Sequence, residues 1–427
     1  MKNGILDNRP KIELLSSGLT IIAQQMPVEA VNLNLWIDVG SAVEGDEING
    51  MAHFLEHMVF KGTPRLKIGE FERAIEEKGA VTNAATSQEY THYYITTAPQ
   101  DFADLASLQL DVVLNPHLDE VAFEREKSVI LEEIRRSEDS PRRRSFYRAM
   151  ETCFDRLPYR RPVLGKEEII ANLRSEQMRE FHDRYYQPKS IVAAVVGNLP
   201  EEKLIEIVTE GYQEVSGKIL SETREKNRQK LNPEPAFNSI VRKEYSDRQL
   251  QQARLIMLWK VPGTDRLLET DALDVLAAIL GQGKVSRLFR DLREDKKLVD
   301  RIGVSNITQA IQGVFYISVV LPSANIPKVE KAIAEHIRKI QREPLEKKEI
   351  DRIRTKVANR FIFANERPGS RANLYGYYYC LLGDLDPALN YCDRIQALQA
   401  EDLQAAAQKY LNPDAYGIVI IRPEATN

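Results

Sequence analysis

His53, Glu56 and His57, in the segment GMAHFLEHMVFKGT, are the residues of this 427-residue chain whose types and spacing most directly announce chemistry. On a helix, side chains one turn apart leave the same face, so the two imidazoles can grip a single tetrahedral metal ion. Glu56 lies between them on an adjoining face, placed to hold a water at the metal without being forced to ligate it. The order H-x-x-E-H inverts the commoner zinc-helix motif. With only six histidines in the chain, composition alone yields such a pattern in roughly one sequence in a hundred. A catalytic zinc takes three protein ligands and leaves one position open, so a further donor must come from elsewhere. The richest supply is VAFEREKSVILEEIRRSED, residues 121–139, where Glu126 and Glu133 sit two helical turns apart on one face. Either carboxylate can face the metal while the other orients a histidine or the water, and periodicity does not choose between them.

The elements that must position these groups read as a mixture. Alternating and β-branched runs predict strands at 18–24, 31–39, 91–97 and 191–196, and apolar periodicity predicts helices at 68–79, 101–114 and 121–138. The chain also repeats itself. Ile170, Leu173, Glu176, Tyr185 and Pro188 stand opposite Ile395, Leu398, Glu401, Tyr410 and Pro413, always at an interval of 225 residues. Leu35-Trp36 likewise matches Leu258-Trp259 at an interval of 223. The reading is an internal duplication: an α+β fold of two homologous domains, each a mainly antiparallel sheet with helices on one face. The boundaries fall at 1–215 and 253–427, joined by a charged, proline-containing linker at 216–252. The second copy has no H-x-x-E-H. Its corresponding helix, DALDVLAAIL from Asp271, is apolar and offers no metal ligands.

Composition bounds the function. With 59 basic and 63 acidic residues and a net charge of −4, the chain has no global attraction for nucleic acid or an anionic membrane. No segment has the length and apolarity of a membrane span, and the start lacks a signal-peptide pattern, so the expected location is cytoplasmic, or else exported or organellar with a targeting segment removed. Cys153, Cys380 and Cys392 are too scattered for a disulfide framework and read as buried small side chains.

HFLEHMVFKGT, followed by NAATSQEYTHYY and EREKSVILEEI, resembles the inverzincin peptidases related to pitrilysin, insulysin and the mitochondrial processing peptidase, and the similarity runs over essentially the whole chain. The resemblance implies one Zn2+ per chain held by His53, His57 and Glu133, with Glu56 as general base and Glu126 as a supporting carboxylate. It implies a metalloendopeptidase that cleaves small or unfolded peptides within a closed dimeric chamber, of which this chain forms half. An edge strand carrying Asn83, Ala84 and Ala85 would receive extended peptide, Phe60 would line the pocket for the residue after the cleaved bond, and Arg293 would hold substrate backbone.

Two departures from the family pattern shape the expectation. Processing peptidases place acidic residues beyond the third ligand to receive substrate arginines, whereas this chain has PRRRSFYRAM, with Arg143 and Tyr147 at those places. Self-sufficient relatives carry a tyrosine seven residues after the arginine, where this chain has Asp300. An anion there cannot donate to an oxyanion. The expected assembly is therefore a heterodimer in which this zinc subunit pairs with a related chain that supplies the Arg/Tyr element. The alternatives are a homodimeric peptidase and a non-catalytic scaffold subunit of a larger complex.

Overall fold

The computed structural model describes residues 9–216 and 231–424. These residues form two compact units, one comprising 9–135, 162–216 and 362–389, the other 136–161, 231–361 and 390–424. The units thus exchange segments: helix Pro141–Cys153 of the first half of the sequence belongs to the second unit, and helices Pro368–Leu382 and Asp386–Leu389 of the second half belong to the first.

The first unit is built on β1 (Lys11–Leu14), β2 (Thr20–Gln25), β3 (Val31–Ile37), β4 (Val81–Thr86), β5 (Thr91–Thr97) and β6 (Ile191–Gly197), in the order β1-β2-β6-β3-β5-β4. β2 and β6 run parallel, and every other neighbouring pair is antiparallel. Helices Met51–Met58, Phe102–Leu114 and Glu201–Val215 cover one face, where Leu33, Leu35, Phe54, Leu55, Leu110 and Val208 are fully or almost fully buried. The opposite face meets the helix Pro368–Leu382, which arrives from the second half of the sequence and packs on β3 and β6. Trp36 anchors it. A Cβ at Gly376 would stand 2.1 Å from the indole, so only glycine lets the helix approach this closely.

The second unit repeats the plan with β7 (Val241–Asp247), β8 (Ala253–Pro262), β9 (Arg301–Ile307), β10 (Gln312–Leu321) and β11 (Gly417–Pro423), ordered β7-β11-β8-β10-β9. Without β1, the first sheet has the same order and the same single parallel pair, now β7 with β11. Helices Leu267–Gly281, Ile326–Arg342 and Ala400–Tyr410 cover its core face. Helix Pro141–Cys153, from the first half of the sequence, packs over β8 and β11. The repeat at interval 225 is reproduced in detail. Helices Ser175–Tyr185 and Ala400–Tyr410 begin on matching backbone caps, with Gln177 accepting from the Arg174 amide and Asp402 from the Gln399 amide.

The Leu-Trp echo does not survive in three dimensions. β3 sends Val31, Leu33, Leu35 and Ile37 into the helix-covered core, so Trp36 points to the other face, whereas β8 sends Leu255, Met257 and Trp259 into its core. Side-chain direction alternates along a strand, so an alignment displaced by one residue inverts every face. Of the stretch expected to link the copies, 217–230 lie outside the described residues, and Val241–Asp247 form the edge strand β7. The three cysteines are free, and among the described residues no helix is long and apolar enough to cross a membrane.

Candidate active site

Helix Met51–Met58 is held by its backbone before its side chains do anything. Gly50 precedes it at φ 101°, a conformation that excludes most residues, and a Cβ there would lie 2.7 Å from the Leu164 carbonyl oxygen. Glu44 closes the N-terminus: Oε2 accepts from the Gly50 amide at 2.8 Å and Oε1 from the Ala52 amide at 2.7 Å. A buried carboxylate there satisfies donors that the helix leaves unpaired and complements its positive end. The sequence reading missed Glu44. Nothing in local spacing marks a cap six residues upstream across an intervening turn.

His53 and His57 then emerge together, their ring centroids 4.9 Å apart. The helix Glu120–Glu138 lies opposite and brings Glu133 Oε2 to 3.7 Å from both His53 Nε2 and His57 Nε2. The donor atoms of His53, His57 and Glu133 all fall within 4.8 Å of one another. Around a tetrahedral zinc with bonds of about 2.0–2.1 Å, neighbouring ligands stand about 3.3 Å apart. The two histidine–Glu133 separations need to shorten by only about 0.4 Å to share one such ion, and two nitrogens with one carboxylate oxygen is a donor set that zinc accepts.

Glu126 has a different partner. Its Oε1 lies 3.0 Å from His57 Nδ1 and its Oε2 accepts from Lys61 Nζ at 2.9 Å. Burial by itself raises the Glu126 carboxyl, but the bonds from His57 and Lys61 outweigh it and hold it below the ordinary value. With Nδ1 engaged by Glu126, Nε2 is the His57 nitrogen that faces Glu133. Glu133 thus stands nearest the two Nε2 atoms, and Glu126 nearest His57 Nδ1 and Lys61. Lys61 lies four residues after His57 and just beyond the helix end at Met58, a partner the sequence reading overlooked.

Glu56 takes neither role. Its Oε2 accepts from Thr86 Oγ1 at 2.5 Å, which ties it to the end of β4. Burial raises its carboxyl above the ordinary value, with the Thr86 bond and His57 opposing and Glu133 adding to the rise. Among the described residues, β4 is the terminal strand of the sheet, paired with β5 alone. Asn83 and Ala85 are exposed on it, Ala84 packs toward the core, and Asn83 Oδ1 covers the Ala84 amide at 2.9 Å. Phe60 is half-buried against Phe71 and Tyr93, at centroid separations of 5.7 and 5.9 Å. Arg293 belongs to the other unit, on a π-helical turn, Phe289–Asp295, with its guanidinium 4.7 Å from the Phe289 ring centroid. Asp300 accepts from Gln252 Nε2 at 2.7 Å.

The profile described as "Insulinase (Peptidase family M16)" matches residues 19–167, and the one described as "Peptidase M16 inactive domain" matches 172–357. The chain belongs to the M16 family. The first profile contains His53, His57 and Glu133, and the second begins within the first copy and runs into the copy without the cluster. Among curated relatives, an uncharacterised zinc protease of Bacillus subtilis is 27% identical over 410 residues, covering 95% of this chain and 97% of its own. The zinc protease PqqE of Helicobacter pylori is 26% identical over 415 residues, covering 96% and 92%. Among solved structures, a protease from Helicobacter pylori superposes with a TM-score of 0.89 at 26% identity, over 97% of this chain and 99% of that one. An M16-like peptidase from Alicyclobacillus acidocaldarius superposes at 0.84 and 20% identity over 97% and 98%, a likeness of fold.

Proposed function

We propose that the chain is a zinc-dependent endopeptidase, with His53, His57 and Glu133 holding one Zn2+ and Glu56 as general base. The observation that carries this reading is the convergence of three donors suited to one ion, with the half-buried Glu56 carboxylate beside them, in a chain whose curated relatives are named zinc proteases. Zinc bound there supplies Lewis acidity toward a peptide carbonyl and makes water easier to deprotonate. Glu56 accepts the proton of the attacking water and returns it to the departing amine. Burial holds its carboxyl above the ordinary value, which favours a proton carried from water to amine. Thr86 fixes Oε2 and leaves Oε1 for the proton. Glu126 keeps His57 in the tautomer that ligates.

Peptide adds to the free edge of β4 at Asn83, Ala84 and Ala85 as an extended strand, displacing the Asn83 side chain from the Ala84 amide, with Phe60 beside the residue that follows the cut. Thr86 links that edge to Glu56, which supports a substrate path past the base. Arg293 serves as a second contact for substrate backbone. Asp300 supports an assembly in which a related chain supplies a neutral donor to a closed chamber. The test is a comparison of the purified chain alone, and co-expressed with a related chain, on unfolded peptides. Full activity of the chain by itself refutes the need for a partner, and activity that survives removal of zinc refutes the metal reading.

A further inference from the structure

The second unit carries a cluster of arginines that the metal chemistry does not use. Strand pairing sets Tyr245, Ile421, Arg254, Val320 and Arg301 opposite one another across β7, β11, β8, β10 and β9. Residues directly opposite in a sheet project from the same face. The flanking Leu255 and Val319 fill the core, so this row looks the other way, toward helix Pro141–Cys153. That helix adds more guanidinium groups. Arg148 lies 3.8 Å over the Tyr245 ring, and Arg144 Nη2 donates to Asp247 Oδ2 at 2.5 Å. Arg142 is exposed and acts on the Tyr316 hydroxyl, as does Arg254.

The charges on this face do not balance. Its carboxylates are already engaged, Asp247 by Arg144 and the buried Glu234 by Lys260 and the amides of Asp155, Arg156 and Leu157. Asp300, next to Arg301 in the chain, is bonded to Gln252. Arg254 Nε is buried and, among the described residues, has no hydrogen-bond partner. Burial, and then Arg301 and Arg144, pull the Arg254 guanidinium below its ordinary basicity, while Tyr316 and Asp247 pull the other way. A solvated basic surface has no need to sink an unpaired donor among like charges, since that arrangement costs stability until an anion arrives.

We propose that this face of the second unit binds the side-chain carboxylates of an acidic peptide, with Arg254 and Arg301 as the central pair and Arg142 at the rim. Guanidinium forks match carboxylates in shape, and a chain with a net charge of −4 has no broad field for a long polyanion. Only the choice of a peptide as the ligand rests on the peptidase reading. The cluster stands on its own geometry.

The probe is a fluorescein-labelled octapeptide with glutamate at alternate positions, compared with its glutamine counterpart. Binding to full-length Glu56→Gln protein is followed by anisotropy at low and moderate salt. The glutamate peptide is expected to bind roughly tenfold more tightly at low salt, the yield of one charge-assisted contact, with the preference fading as salt rises. Arg254→Met with Arg301→Met removes the preference and leaves the glutamine peptide unaffected. The double variant melts no lower than the parent, because it deletes an unpartnered cation. Arg142→Ala, at an exposed position, gives a partial loss even if the double variant misfolds. Equal affinity for the two peptides, variants that keep the preference, or tighter binding of a single-stranded oligonucleotide than of the glutamate peptide overturns the proposal. Preserved binding preference in a protein whose wild type cleaves neither peptide, alone or with a co-expressed related chain, refutes the peptidase reading and leaves the site standing.

Discussion

Replacing Glu126 tests how the metal-binding geometry is held without touching a ligand. Its two oxygens are fully committed, one to His57 Nδ1 at 3.0 Å and the other to Lys61 Nζ at 2.9 Å, and its side chain is only 10% exposed. Glu126→Ala removes the acceptor that orients His57, removes one negative charge near the cation, and leaves Lys61 uncompensated beside it. All three changes act against zinc. A hydrogen bond to a charged group contributes about 1.5–3 kcal/mol, and low exposure favours the upper half of that range. The expected loss is therefore about 3 kcal/mol, or roughly 100-fold in the zinc dissociation constant. Glu126→Gln keeps an oxygen for His57 and forfeits the charge, so its loss is expected near tenfold, about 1.4 kcal/mol. Competition against a calibrated chelator measures both constants, and circular dichroism of the metal-free proteins confirms that the fold persists. Wild-type zinc affinity in Glu126→Ala would refute the orientation argument.

Adding Lys61→Met to Glu126→Ala deletes the stranded cation, so the double variant should bind zinc more tightly than Glu126→Ala in the same competition assay. Glu234 gives an acid-side prediction. Burial alone would raise its carboxyl, but the amides of Leu157, Arg156 and Asp155 and the Lys260 ammonium hold it at about 2. Unfolding returns it to 4.5, so its contribution of about 3 kcal/mol is complete above that pH and lost as pH falls toward 2. Urea midpoints should accordingly fall more steeply with acid in the wild type than in Glu234→Gln, and parallel curves would contradict this. Asp274 has the opposite sign: burial, with Asp271 adding, raises it from 3.8 to about 7 against the bonds from Asn306 and Tyr391. Unfolding then releases a proton at neutral pH, so stability drops as pH rises from 3.8 to about 7. Asp274→Asn should raise the urea midpoint at pH 8 and leave it unchanged at pH 4.

Parts of this architecture were legible because local rules governed them. The turn of a helix puts His53 and His57 on one face, and the repeat at interval 225 marks a helix-strand unit that recurs with its caps. The choice between Glu126 and Glu133 was not legible from the chain itself, since both occupy one helical face. It depends on how two helices meet, which decides that Glu133 reaches the Nε2 atoms and Glu126 the Nδ1 atom. The Trp36 and Trp259 match misled because a strand reverses its faces with a one-residue shift. The arginine face was hidden for a topological reason. Arg148, Arg254 and Arg301 are far apart in sequence and come together only through the order β11-β8-β10-β9 and a helix exchanged from the other half.

The central claim is tested most directly by measuring bound zinc and cleavage of an unfolded peptide in parallel for the wild type and Glu56→Gln, each alone and with a co-expressed related chain. The account predicts one zinc per chain in both proteins and turnover only where Glu56 is intact. Failure of the wild type to retain zinc, or undiminished turnover by Glu56→Gln, would contradict it.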